Sequence, residues 1–131
     1  MQERLVAWLR AQGYRIIRTA DTSSKEHGRD VVARAPSGRE LWVTAKGYRK
    51  KTPSTSPNAQ ARHSVEAALL DLLLWRGEGN CDADLAIALP RGRTTYRNLM
   101  SRLGWARSAL PFTVLWVADD GTVTPELPTD Q

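Results

Sequence analysis

Residues 27–46, HGRDVVARAPSGRELWVTAK, decide the fold of this chain. A β-branched run at 30–34 and an alternating run at 39–46 flank the turn-forming sequence APSG, and this pattern predicts two antiparallel strands joined by a hairpin. Alternation along the second strand places Trp42, Thr44 and Lys46 on one face. Asp30 opens the first strand and Lys46 closes the second, so we expect both side chains at the same end of the hairpin.

The segments around this hairpin predict one α/β domain with the element order αβββαβαβ. Apolar periodicity and stop signals predict helices at 3–12, 58–76 and 94–106, and further strands at 14–20, 83–89, 112–117 and, more briefly, 122–124. We expect a mixed central sheet of about five strands flanked by helices, in a domain of residues 1–125 followed by a flexible tail at 126–131. Ile16 and Ile17 are expected to be buried on opposite sides of the first strand, and the five tryptophans to lie in or near the core.

The charge distribution predicts a polyanionic partner. The net charge is +5, and the segments 46–62 and 90–107 each contain five cations and no acid. Arg102 and Arg107 belong to the second segment. The residues that we expect to contact a nucleic-acid backbone are Arg49, Lys50, Lys51, Arg62, Arg91, Arg93 and Arg97. A solvated helix face beside a basic loop is the structural alternative.

Two classes of protein are disfavoured by the sequence. No window reaches the roughly 18 apolar residues of a membrane span, and the N-terminal MQERLVAWLR is charged where a secretion signal needs an apolar core. We therefore expect a cytoplasmic protein without a membrane partner. The single cysteine, Cys81, cannot form an internal disulfide or a cysteine-rich zinc site, and is expected to be an incidental loop thiol.

Asp30 and Lys46 are residue types that metal-dependent phosphodiester hydrolysis requires. This reaction uses a hard divalent cation held by carboxylates, and a positive group that offsets charge on the transition state. Asp30 can supply a metal ligand and Lys46 the positive group. The position two residues before Lys46 lies on the same strand face, where a second carboxylate would complete the site, but Thr44 occupies it.

The pattern of Gly28-x-Asp30, a hairpin and WVTAKGY at 42–48 resembles the PD-(D/E)XK nuclease superfamily, which has the restriction-endonuclease-like fold. The resemblance extends over most of the chain, including the first helix and the sequence NAQARH at 58–63. It implies that Asp30 and Glu3 bind Mg²⁺ or Mn²⁺, that Lys46 is the catalytic lysine, and that Gln60 orients the substrate. Thr44 replaces the glutamate of the family's Glu-x-Lys motif, which weakens the expected metal binding and lowers the expected rate by ~10²–10⁴.

Three functional hypotheses follow. The first is an Mg²⁺-dependent DNA endonuclease, with RNA not excluded as substrate. The second is a catalytically weak or inactive DNA-binding protein of the same fold, or a subunit of a larger DNA-processing system. Under either hypothesis a homodimer or a partner subunit is open. The third is an interaction module whose basic face meets an acidic protein. Each candidate residue also has a structural explanation. An aspartate commonly opens a strand, as Asp30 does, and a lysine at a sheet edge, such as Lys46, opposes aggregation. A carboxylate at a helix start, such as that of Glu3, is stabilised by the helix dipole.

Overall fold

A computed structural model describes residues 2–19, 29–46, 57–78 and 82–128. Its elements are α1 (Gln2–Ala11), β1 (Arg15–Thr19), β2 (Val31–Arg34), β3 (Glu40–Ala45), α2 (Pro57–Arg76), β4 (Asp84–Pro90), α3 (Thr94–Arg102), a short 3₁₀ helix (Gly104–Ser108), β5 (Thr113–Val117) and β6 (Val123–Glu126). The predicted α/β class and element order are confirmed, with six strands in place of about five. Among the helices that the structure describes, none is long and apolar enough to cross a membrane.

The strands form one mixed sheet in the order β1-β2-β3-β4-β5-β6. The first three form an antiparallel meander, β3, β4 and β5 run parallel, and β6 returns antiparallel to β5. The helices α2 and α3 lie in the two connections between the parallel strands, as such connections require. The carboxyl ends of β3, β4 and β5 therefore meet at one end of the sheet.

Apolar side chains cover both faces of the sheet and form two separate clusters. On one face, Leu5 and Leu9 of α1 pack against Val31 and Val43. On the other face, α2 and α3 pack against a cluster that includes Trp42. Because neighbouring residues of a strand point to opposite faces, the α1 side and the α2 side of the sheet are each built from alternate residues.

The long helix α2 is apolar on two sides. Its inward side chains are fully or almost fully buried: Ala61, Val65, Ala68, Leu72 and Trp75. Three leucines on its outer surface, Leu70, Leu73 and Leu74, are more than half exposed. Leu73 is exposed although Leu72 is fully buried, because the helical rotation of 100° per residue carries it away from its neighbour.

Two expectations about buried side chains are wrong. Ile17 is 47% exposed, because β1 is an edge strand and α2 packs over β3 and β4, away from β1. A register shift between Ile16 and Arg18 also disturbs the alternation there. Trp105 is 78% exposed, because α3 ends at Arg102 and the chain continues as a 3₁₀ helix that does not extend the apolar face of α3.

Arg107 is one of the five cations of segment 90–107, but it is an internal residue and does not contribute to a basic surface. Its side chain is 1% exposed and donates hydrogen bonds to the carbonyl oxygen of Phe112, at 2.6 and 3.1 Å, and to the carbonyl oxygen of Glu126 at 2.7 Å. Its Nη1 also pairs with the Glu126 carboxylate at 2.5 Å. Glu126, the first residue of the expected flexible tail, is therefore the last residue of β6 and is tied to the core.

We predict that Arg107→Met destabilises the protein. The substitution removes the hydrogen bonds that Arg107 donates to the two carbonyl groups and its ion pair with the Glu126 carboxylate, which costs about 3–5 kcal/mol for a broken buried pair. Thermal unfolding should show a melting temperature lower by roughly 10 °C or more. The exposed Arg102→Met is the control and should change stability by less than about 0.5 kcal/mol. Equal melting temperatures for the two variants would contradict the assignment.

Candidate metal centre

Asp30 is fixed against β3 through both its backbone and its side chain. Its N–H donates to the carbonyl oxygen of Val43 at 2.8 Å, and its Oδ2 accepts from the backbone N–H of Ala45 at 2.7 Å. These two bonds lie on either side of Thr44 in the sequence. The carboxylate of Asp30 is therefore held beside the carboxyl end of β3, as the hairpin predicts.

Thr44 and Lys46 lie at this same end of β3 and face α2. Thr44 is fully buried, and its hydroxyl donates a hydrogen bond of 3.1 Å to Oδ2 of Asp71. The backbone N–H of Lys46 donates to the carbonyl oxygen of Ala88 at 3.0 Å, which ties it to the neighbouring strand β4. Its Nζ is 3.8 Å from the same Oδ2 of Asp71.

Asp71 is the residue that the sequence-based analysis missed. It belongs to α2, and its carboxylate lies beside the hydroxyl of Thr44, the residue that replaces the glutamate of the Glu-x-Lys motif. The side chains of Asp71 and Lys46 are 18% and 20% exposed, so the cluster is only partly open to solvent. One signal was present in the sequence: Asp71 is a single acid within the apolar run AALLDLLLW at 67–75. An acid in such a run needs a partner or a function.

The charges of the cluster act on one another. Burial raises the pKa of Asp30 above its ordinary value of 3.8, the hydrogen bond from Ala45 and the charge of Lys46 act to lower it, and the charge of Asp71 raises it further. The two carboxylates are therefore close enough to repel each other. A divalent cation between them would remove this repulsion, because it offers more positive charge than Lys46 alone.

If this cluster binds a metal ion, the two carboxylates would suit Mg²⁺ or Mn²⁺. Within the described residues, no three side chains of His, Cys, Asp or Glu are grouped so that they could hold a metal. Mg²⁺ commonly binds to one or two carboxylates and keeps several waters or phosphate oxygens as its other ligands. Asp30 and Asp71 provide such a pair, whereas a structural zinc site would need four protein ligands.

Arg29 joins the two elements that carry the carboxylates. Its guanidinium stacks 3.7 Å from the ring centroid of Trp42 and donates to the Glu78 carboxylate at 2.7 Å. Trp42 in turn meets Trp75 of α2 edge to face, with 6.1 Å between the ring centroids. Arg29 directly precedes Asp30, and Glu78 follows the end of α2, so these contacts hold the start of β2 against the helix of Asp71.

The structure does not bring Glu3 or Gln60 into the cluster. Glu3 is exposed on α1, whose buried leucines pack on the opposite face of the sheet from α2. Among the described residues, Lys46 and Asp71 are the charged groups that shift the pKa of Asp30, and Glu3 is not one of them. Gln60 precedes Asp71 by eleven residues of the same helix, a separation of about 16 Å along its axis.

Several of the predicted nucleic-acid contacts share one end of the sheet with the cluster. Arg91 and Arg93 directly follow β4, whose carboxyl end lies beside that of β3. Arg97 follows in the first turn of α3, and Arg91, Arg97 and Arg62 of α2 are exposed. Arg49, Lys50 and Lys51 lie outside the described residues.

Comparison with known proteins finds a likeness in fold. No family model and no curated protein matches the chain. The crystal structure of an XisH family protein from Nostoc punctiforme, determined at 1.60 Å resolution, is similar with a TM-score of 0.61. The similarity covers 94% of each chain at 15% sequence identity. At this identity the likeness shows a shared α/β fold and leaves the resemblance to the nuclease superfamily, and the roles of the site residues, as predictions.

Proposed function

We propose that this protein is a divalent-metal-dependent nuclease of the PD-(D/E)XK type that hydrolyses phosphodiester bonds in DNA. The observation that carries the proposal is the position of the Asp71 carboxylate, 3.1 Å from the Thr44 hydroxyl and 3.8 Å from Nζ of Lys46. The motif lacks its own glutamate, and Asp71 supplies a carboxylate at this point from α2. Thr44 then supports the Asp71 carboxylate, which takes the place of the missing glutamate.

Each residue of the cluster has a distinct role in this proposal. Asp30 and Asp71 each have one oxygen, Oδ2, that accepts hydrogen bonds from the protein, and no donor among the described residues reaches either Oδ1. These two oxygens are the proposed metal ligands. With Mg²⁺ or Mn²⁺ bound there, the site would gain Lewis acidity and an acidified water. Lys46 balances negative charge on the scissile phosphate, and the Thr44 hydroxyl keeps the Asp71 carboxylate oriented.

The basic residues around this end of the sheet support nucleic acid as the substrate. Arg91, Arg93 and Arg97 follow β4 next to the cluster, and guanidinium groups bind phosphate oxygens well. These contacts read the backbone and carry no sequence preference. DNA is the proposed substrate, and cleavage of an RNA of the same sequence is the comparison that tests the choice.

A nucleic-acid-binding protein without catalysis is the second candidate function. The observation that favours it is the contact between Lys46 and Asp71, in which each charge already has a partner without a metal ion. The cluster also contains two carboxylates where the resemblance implies up to three. The two candidates differ in whether the protein cuts DNA when Mg²⁺ or Mn²⁺ is added.

We predict that plasmid cleavage with Mg²⁺ or Mn²⁺ depends on both Lys46 and Asp71. Lys46→Ala and Asp71→Asn should each slow cleavage by ~10² or more, because each removes a charge that acts on the reacting phosphate or its metal. Asp84→Asn is the matched control, since Asp84 begins β4 at the other end of the sheet and pairs with Arg39 on the surface. Cleavage that persists in Asp71→Asn, or no cleavage by the unmodified protein, would contradict the proposal.

We further predict that a carboxylate at position 44 of β3 can replace that of Asp71 of α2. Asp71→Ser should remove activity, and adding Thr44→Glu to it should restore a measurable part, because the double variant has the same number of carboxylates. Thr44→Glu alone should destabilise the fold, since Thr44 is fully buried beside Asp71 and like charges repel. Circular dichroism verifies folding. A folded double variant no more active than Asp71→Ser would refute the exchange.

The raised pKa of Asp30 leads to a prediction about stability and pH. The folded state binds a proton on Asp30 more readily than the unfolded state does. The stability that this proton contributes is therefore complete below the unfolded pKa of 3.8, and it is lost as the pH rises through the raised pKa of the folded state. Asp30→Asn should therefore raise the melting temperature at pH 7, with a smaller difference near pH 4. The asparagine keeps an oxygen that accepts from Ala45.

The same two proteins test metal binding by thermal unfolding. At a concentration of ten times its dissociation constant, a ligand that binds only the folded state stabilises it by about 1.4 kcal/mol. Mn²⁺ should raise the melting temperature of the unmodified protein and leave that of Asp30→Asn almost unchanged. A lower melting temperature of Asp30→Asn at pH 7 without metal would show that the charge of Asp30 stabilises the fold.

A further inference from the structure

A cleft lies between α2 and α3, away from the candidate metal centre. It has a volume of about 340 Å³, within the range of sites for small molecules, about 300–1,000 Å³. The residues that line it are Arg62, Val65, Glu66, Leu69, Leu99, Arg102, Leu103 and Trp105. Its floor is apolar, and an indole and two guanidinium groups stand at its margin.

Trp105 is turned outwards by the way Arg107 is held. Both residues belong to the 3₁₀ helix Gly104–Ser108. A 3₁₀ helix has three residues per turn, so residues two apart in the sequence, such as these, point in different directions. Arg107 points inwards because it is bonded to Phe112 and Glu126. Trp105 therefore cannot point into the same part of the core, and 78% of its surface is exposed.

The two arginines of the cleft are available to bind an anion. Arg62 and Arg102 are both exposed, and within the described part of the chain neither guanidinium group takes part in an ion pair or a hydrogen bond. The one acid of the cleft, Glu66, is 3.5 Å from Nδ1 of His63, on the same helix. The surface beside the indole therefore carries two cations that no described residue pairs with.

The combination of one exposed indole and two cations fits a nucleotide better than it fits a protein surface. Val65 is almost fully buried, and the three leucines of the floor already pack against the core, so they offer little additional area. A stable protein interface buries about 800 Å² on each partner, far more than one indole provides. Proteins that bind single strands place an aromatic ring for a base beside arginines for the phosphates.

We propose that this cleft binds an unpaired nucleotide, with its base stacked on Trp105 and the adjoining phosphates at Arg62 and Arg102. The site is distinct from the metal centre, since Arg62 precedes Asp71 by nine residues, which places it on the opposite side of α2 and about 14 Å further along its axis. The substrate then contains a single-stranded segment in addition to the bond that is cut. This inference rests on the proposed function only in taking nucleic acid as the ligand.

The test is the affinity for a fluorescein-labelled oligothymidylate, measured by fluorescence anisotropy on the full chain in EDTA so that no cleavage occurs. Trp105→Ala should weaken binding by about 5- to 100-fold, the usual loss of one stacked base, and Trp105→Phe should keep most of the affinity. Leu74→Ala, at an exposed leucine outside the cleft, is the control and should bind as the unmodified protein does. Arg62→Gln should reduce the salt dependence of binding by about 0.7 in log–log slope.

Three results would overturn the inference. One is equal affinity of Trp105→Ala and the unmodified protein for the oligothymidylate. Another is that Trp105→Ala weakens binding to a blunt duplex as much as it weakens binding to the oligothymidylate. The bases of a duplex are not free to stack on the indole, so stacking would not explain such a loss. The third is binding of an acidic leucine-rich helical peptide, but not of the oligothymidylate, in a manner that needs Trp105, which would assign the cleft to a protein partner.

The anisotropy measurement is independent of the cleavage assay. Loss of binding in Trp105→Ala, together with no cleavage by any form of the protein, would support the cleft and refute the nuclease. Cleavage that needs Lys46 and Asp71, together with unchanged binding in Trp105→Ala, would support the nuclease and refute the cleft. Because Trp105 is exposed, its substitution should leave the melting temperature almost unchanged, which separates loss of binding from loss of the fold.

Discussion

The packing of α2 across β3 and β4 is the constraint on which both the apolar cluster on that face of the sheet and the candidate metal centre depend. The helix buries Ala68, Leu72 and Trp75 against the sheet, and this apolar contact sets its rotation about its own axis. Asp71 follows Ala68 by three residues, so the same rotation brings it to the border of the buried stripe. There it meets the buried hydroxyl of Thr44, which requires a hydrogen-bond partner.

The candidate metal centre combines contacts that stabilise the fold with charges that oppose it. The N–H of Ala45 and the hydroxyl of Thr44 satisfy one oxygen of each carboxylate. Partial burial and the proximity of the two aspartates nevertheless raise the pKa of Asp30, so the charged form is disfavoured. Such local costs are typical of functional sites.

Two arginines position the surfaces on which the proposals rest. Arg29 stacks on Trp42 and pairs with Glu78, which holds the strand of one carboxylate against the helix of the other. Arg107 is buried and joins the segment after α3 to β6, and by turning inwards it directs Trp105 to the surface. In both cases a guanidinium group satisfies several acceptors at once, as its planar set of donors allows.

The sequence by itself determined the local order of the chain and half of the candidate site. Alternation and turn residues are local properties, so they were sufficient to predict the hairpin, the α/β order and the placement of Asp30 with Lys46. The tertiary structure alone decided that Asp71 joins them, because Asp71 lies 27 residues from Thr44 and its position follows from helix packing. It also decided that Arg107 is buried and Trp105 exposed, since burial depends on which distant segments cover a residue, and residue type and spacing do not specify that.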